Sequence, residues 1–280
     1  MVTIPTDDPL AVAAVDAIHT GDLETLCQLL RQCPHLATVR LGGDDAGDQE
    51  RCGDRGMTRS LLHVATDWPG HFPNGAATVG MLVEAGADVN ARFTGPHSET
   101  PLHWAASSDD VDALDALIDA GADIEAAGAV IAGGTPLDDA VAFGQWHAAR
   151  RLVERGAQTA LWHAAALGLM DRIERHFAAP APPPTQHPWG ASGDGAPPAE
   201  IDVAFWCACH GGQREAAAYL LERGANLNWI SPWDGLTPLD TARREATGGL
   251  SASSESERAR AEELVAWLRS RGAKAAAELA

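Results

Sequence analysis

Apolar positions along the chain come in short clusters at helical spacing, and several clusters close on the same dipeptide. Gly-Ala stands at Gly86-Ala87, Gly121-Ala122, Gly156-Ala157, Gly224-Ala225 and Gly272-Ala273. The stretches before it (MLVEA, ALIDA, RLVER, YLLER, AWLRSR) each carry adjacent large apolar side chains. A glycine there suits a helix that ends in the left-handed conformation, where a side chain is costly. About fourteen residues after the glycine a second signature opens: TPLHWAA from Thr100, TPLDDAV from Thr135 and TPLDTAR from Thr237. Threonine at the cap and proline in the first turn start a helix well. Alanines inside it let a neighbouring helix approach closely. Runs with a period of two are missing, so little or no sheet is predicted. Leu82, Leu117, Leu152 and Leu220 each precede their Gly-Ala by four residues and are expected to be buried equivalents.

The steps between the first three Gly-Ala pairs are 35 residues each. Thr-Pro-Leu-His-x-Ala-Ala followed by Gly-Ala-Asp resembles the ankyrin repeat, with Thr100 to Asp123 the cleanest copy and Ser60 to Asn90 another that carries an insert near Pro69 to Asn74. That resemblance implies an all-α chain: one solenoid over 1–280 with about seven helix pairs and long loop insertions. The repeats are expected near 9–40, 58–92, 98–126, 133–158, 159–178, 200–229 and 235–275. The inserted loops are expected at 41–57, 179–199 and 246–257, where Gly, Pro, Ser or Asp dominate.

Composition narrows the function. Apolar residues make up 45%, enough for a core. The net charge is 20 − 39 = −19, a sign that repels phosphate backbones and anionic lipid, so neither nucleic acid nor membrane is an expected partner. The N-terminal stretch lacks the basic region of a signal peptide, and no apolar run approaches the ~20 residues of a membrane span. The five cysteines read as reduced core residues, which points to the cytoplasm. A monomer without cofactor is expected. Cys207-Ala-Cys209-His210 has the look of a metal cluster, but residues two apart on a helix face different ways, so no metal is assigned. Phosphate-loop and hydrolase motifs are absent.

The candidate site follows from alignment on the glycine after each first helix. The position five before it holds Asp16, Trp104, Asp139, His163 and Trp206, and the position just before it holds His210 in one unit. In the family, such positions of successive repeats lie side by side on the concave face. His63 and His103 occupy the fourth position of Thr-Pro-Leu-His and read as structural; this alignment puts Trp162 in the same place. His163, His210 and Asp139 are candidate catalytic groups, as a pair capable of proton transfer. Trp68, Trp104, Asp139, His163, Trp206, His210, Trp189, Trp229 and Trp233 are candidate binding residues, because nine tryptophans exceed what the repeat needs and tryptophan favours interfaces. Two readings result. The first is a non-enzymatic scaffold that holds a protein or peptide on its concave face and loop tips. The second is a small-molecule binding protein or unusual enzyme whose Trp/His/Asp pocket is covered by the 179–199 loop.

Overall fold

Polar caps start most of the helices, and glycines in the left-handed region follow their ends. The computed structural model describes residues 2–42, 56–131, 133–178, 199–248 and 255–279. Fourteen α-helices lie among the described residues. They are α1 (Pro9–Thr20), α2 (Leu23–Gln32), α3 (Leu61–Ala65), α4 (Gly75–Glu84), α5 (Pro101–Ser107), α6 (Val111–Asp119) and α7 (Pro136–Ala142). The series continues with α8 (Trp146–Glu154), α9 (Leu161–Leu167), α10 (Met170–Ala178), α11 (Glu200–His210), α12 (Arg214–Glu222), α13 (Pro238–Ala246) and α14 (Glu255–Ser270). Asp22 and Asp110 cap α2 and α6 by accepting the backbone N–H of Thr25 and Ala113 at 3.0 Å each. The glycine of every Gly-Ala pair has a positive φ, from 89° at Gly272 to 106° at Gly156, as the pattern requires.

The contacts divide into two compact units. The first comprises Met1–Ala140 with Glu154–Ala157, the second Val141–Val153 with Gln158–Ala280. Within the first, α1, α3 and α5 pack in sequence, and α2, α4 and α6 form a parallel row behind them. Within the second, α9, α11 and α13 make the inner row, with α10 and α12 behind and α14 against α13. Leu82, Leu117, Leu152 and Leu220 are each fully buried, as expected of equivalents on one helical face. Buried alanines on the inner helices, Ala105 and Ala106 in α5 and Ala164 to Ala166 in α9, leave room for that close stacking.

Two details differ from the pattern read in the sequence. A small sheet joins β1 (Thr3–Ile4), β2 (Arg40–Gly42) and β3 (Thr58–Ser60), with β2 in the middle, parallel to β1 and antiparallel to β3. Strands of two or three residues are too short to show a period of two, so they leave no trace in the pattern. Arg40, expected at the end of a helical unit, holds this edge: its guanidinium donates to Thr58 Oγ1 at 2.7 Å and to the Thr58 carbonyl at 2.6 Å. In addition, α14 already begins at Glu255, inside the stretch expected to be loop.

No helix among the described residues is long and apolar enough to cross a membrane. Cys27, Cys33, Cys207 and Cys209 are free thiols, and burial pushes the Cys207 and Cys209 thiols well above the usual range. No group of three potential metal ligands occurs among the described residues. Cys52 lies outside them.

Candidate functional site

The fourth residue of each repeat signature sits in the first turn of its helix, where a side-chain acceptor can close the cap. His63 Nδ1 accepts from the Ser60 backbone N–H at 3.3 Å, and His103 Nδ1 accepts from that of Thr100 at 3.0 Å. With Nδ1 accepting, the proton stands on Nε2. From there His63 donates to the Glu99 carbonyl at 3.1 Å and His103 to the Gly134 carbonyl at 3.3 Å, in each case the residue just before the next cap. Burial pushes their pKa values down to about 3 and about 4, so both rings stay neutral. Asp138 and Asp240 close the same cap from the carboxylate, accepting from Thr135 and Thr237.

This cap relocates His163. Its Nδ1 accepts from the Ala160 N–H at 3.1 Å, so His163, and not Trp162, holds the fourth position of its repeat. The alignment on Gly168 slips because the turn after this helix is one residue shorter: eight positions separate Ala160 from Gly168, against nine from Thr100 to Asp109, although both helices have seven residues. His163 is 5% exposed, with its ring 3.6 Å from that of Trp162. Trp206 fills the role that histidine plays elsewhere. Its indole N–H donates to the Leu236 carbonyl at 3.2 Å, again the residue before the next cap, Thr237.

Asp139 belongs to the first unit and His163, Trp206 and His210 to the second. Asp139 is fully buried and accepts from the Ile131 N–H at 3.3 Å, while its second oxygen has no hydrogen-bond partner among the described residues. Burial is the main cause that pushes its pKa up to about 7; the nearby charges of Glu99 and Asp138 add to the rise. Trp104 is half-buried and lies against the rings of His63 at 4.9 Å and Phe93 at 5.5 Å. An open groove of about 450 Å³ runs along the loops near His97 and Val130, which the sequence did not single out. Trp68 stands apart, with 78% of its surface in solvent.

In the second unit the residues that come together are His210, Trp206, Trp229 and Trp233. His210 ends α11 at 1% exposure. Its Nε2 lies 3.1 Å from the Val141 carbonyl. Its Nδ1 lies 3.2 Å from Glu245 Oε1, near enough for charge pairing though without the alignment of a hydrogen bond. Trp146 and Trp206 flank the ring at 5.0 and 5.4 Å. Beside it a cavity of about 20 Å³, lined in part by Arg150, Glu245 and Arg260, has room for about one water. From Trp206 the aromatic row continues outward to Trp233 at 5.1 Å and then to Trp229 at 5.3 Å. Their loop is held by Ser231 N–H to the Leu236 carbonyl and Gly235 N–H to the Ser231 carbonyl, both 3.0 Å, and by an Arg244–Asp234 ion pair at 3.3 Å. Ile230 at its tip is 47% exposed.

Sequence reasoning missed Glu245, Arg244 and Trp146. The two charged residues sit in a polar helix with nothing to distinguish them; only the excess of tryptophan hinted at Trp146. Trp189 and residues 179–198 around it lie outside the described residues, and with them the expected cover.

With this geometry in view, a family model described as ankyrin repeats matches residues 62–161 in 3 copies. No curated protein matches the chain. Among solved structures, the human ASB11 ankyrin repeat domain is similar at 20% identity, covering 92% of this chain and 97% of that one with a TM-score of 0.44.

Proposed function

We propose that this chain, whose residues 62–161 are ankyrin repeats, is an interaction scaffold that holds a protein or peptide partner on its aromatic loop tips. One contrast supports the reading: the candidate catalytic groups are inside, while the loop tip exposes Ile230 and leaves Trp229 and Trp233 half-buried beside it. His163 is tied to a helix cap, His210 sits between a carbonyl and a carboxylate, and Asp139 has no exposed surface. A substrate could reach none of them without opening the core. The cavity beside His210 is about 20 Å³, far below the ~300 Å³ at which ligand pockets begin.

Ile230, by contrast, is exposed at the tip of a loop whose backbone is already hydrogen-bonded into place, with the half-buried Trp229 and Trp233 beside it. A preorganised aromatic tip loses little entropy on binding, and buried indoles are frequent hot spots. The reading therefore shifts weight from the inner helices to the loops. Its test is site-specific photocrosslinking from positions 229 and 233 in the source cell, followed by binding of the purified crosslinked protein. The scaffold reading expects a discrete partner whose affinity falls at least tenfold in Trp229→Ala/Trp233→Ala with an unchanged melting point. A partner bound equally well by that variant, or no discrete partner at all, overturns it.

A further inference from the structure

Trp68 is the most exposed large hydrophobic side chain among the described residues, and the backbone that carries it is pinned from several sides. Asp67 accepts from Arg59 at 2.6 Å and from the Trp68 N–H at 2.9 Å, and its carbonyl accepts from the Gly70 N–H at 2.7 Å. The His71 N–H donates to Asp110 Oδ2 at 2.7 Å, and the Asn74 side-chain amide donates to the Gly21 carbonyl at 2.9 Å. Phe72 stacks on His19 with ring centroids 4.5 Å apart. The insertion between α3 and α4 is thus anchored to the turns of the repeats on both sides. Asp67 and Phe72 among its anchoring side chains are half-buried, while Trp68, Pro69 and Pro73 are exposed. A loop held this firmly does not expose an indole for want of a fixed conformation.

The charge of the unit that carries this loop limits what could cover it. The first unit holds 7 Lys and Arg against 24 Asp and Glu, so 7 − 24 = −17 of the chain's −19 resides there. The second unit is nearly neutral at −19 + 17 = −2. An exposed indole face attracts a cation directly through its quadrupole, and the surrounding field concentrates cations near it.

We propose that Trp68 anchors a docking surface on the first unit for a basic polypeptide segment, one Lys or Arg of which lies on the indole while neighbouring basic residues follow the acidic surface. This rests on the scaffold reading and adds the chemistry of a partner. Pro69, exposed next to Trp68 in the chain, adds apolar surface for the aliphatic stem of that Lys or Arg.

The test uses the full chain and a fluorescein-labelled peptide of alternating arginine and glycine, titrated by anisotropy, with a glutamate–glycine peptide alongside. Binding should be confined to the basic peptide and should weaken as salt rises. Trp68→Ala should weaken it roughly tenfold and Trp68→Phe less, in keeping with cation–π energies, and both variants should melt as the parent does. Equal affinity in parent and Trp68→Ala, or equal binding of the acidic peptide, overturns the proposal. The Trp229→Ala/Trp233→Ala protein separates the two readings. It should keep its affinity for the basic peptide; a loss there with none in Trp68→Ala moves the surface to the second unit and overturns this inference while the scaffold reading stands.

Discussion

Asp139 offers a direct measure of how strongly the stacked repeats bury charge. Its carboxyl has no exposed surface, one oxygen bonded to the Ile131 N–H and the other without a hydrogen-bond partner among the described residues. Its pKa rises from 3.8 to about 7. Below pH 3.8 folded and unfolded chains both hold the proton and the group costs nothing. Between 3.8 and 7 the unfolded chain has released it and the folded chain has not, so stability falls as pH rises. Above 7 the folded chain carries a buried charge, and the full penalty is about 4 kcal/mol, some 3 units at 1.36 kcal/mol each. Asp139→Asn removes the titration and keeps the acceptor for Ile131. Its new amide hydrogens bring a cost of their own, but one that does not vary with pH. The difference in unfolding free energy between parent and variant should therefore shift by about 3 kcal/mol toward the variant between pH 5 and pH 8. Urea melts followed by circular dichroism at intervals across that range measure it. A difference that stays flat with pH would refute the reasoning, and one of opposite sign would mean that the carboxylate is paired in solution.

Two further outcomes follow from the packing. Leu117→Ala, at a fully buried position of α6, should cost roughly 2–5 kcal/mol in a urea melt; a loss below ~1 kcal/mol would mean that the Gly-Ala register misplaces it. Trp206→Phe keeps a ring but loses the indole donor to the Leu236 carbonyl, which Ser231 still serves. It should lower stability by about 1–3 kcal/mol through the lost bond and the vacated volume, and a thermal melt unchanged from the parent's would sink the bridging role.

Much of the fold is legible in the sequence because its signals are local. A glycine at the end of a helix, a threonine cap and a proline in the first turn act through backbone conformation within a few residues, so Thr100, Thr135, Thr237 and the Gly-Ala pairs mark their helices without reference to the rest of the chain. The buried leucines follow from the same spacing. The tertiary structure decided which polar side chain does what. The sequence alignment places His163 one position off, since alanine replaces its cap threonine and the turn after its helix is one residue short; only the hydrogen bond from Ala160 shows its register. Trp206 was read as a wall of a pocket, and it proves to be the link to the next repeat, because its partner lies 30 residues away. Glu245 comes to His210 across 35 positions of sequence. Helix ends depend on near neighbours, whereas the partner of a buried polar atom depends on which distant backbone or side chain the stacking delivers within about 3 Å, and no pattern along a single chain encodes that distance.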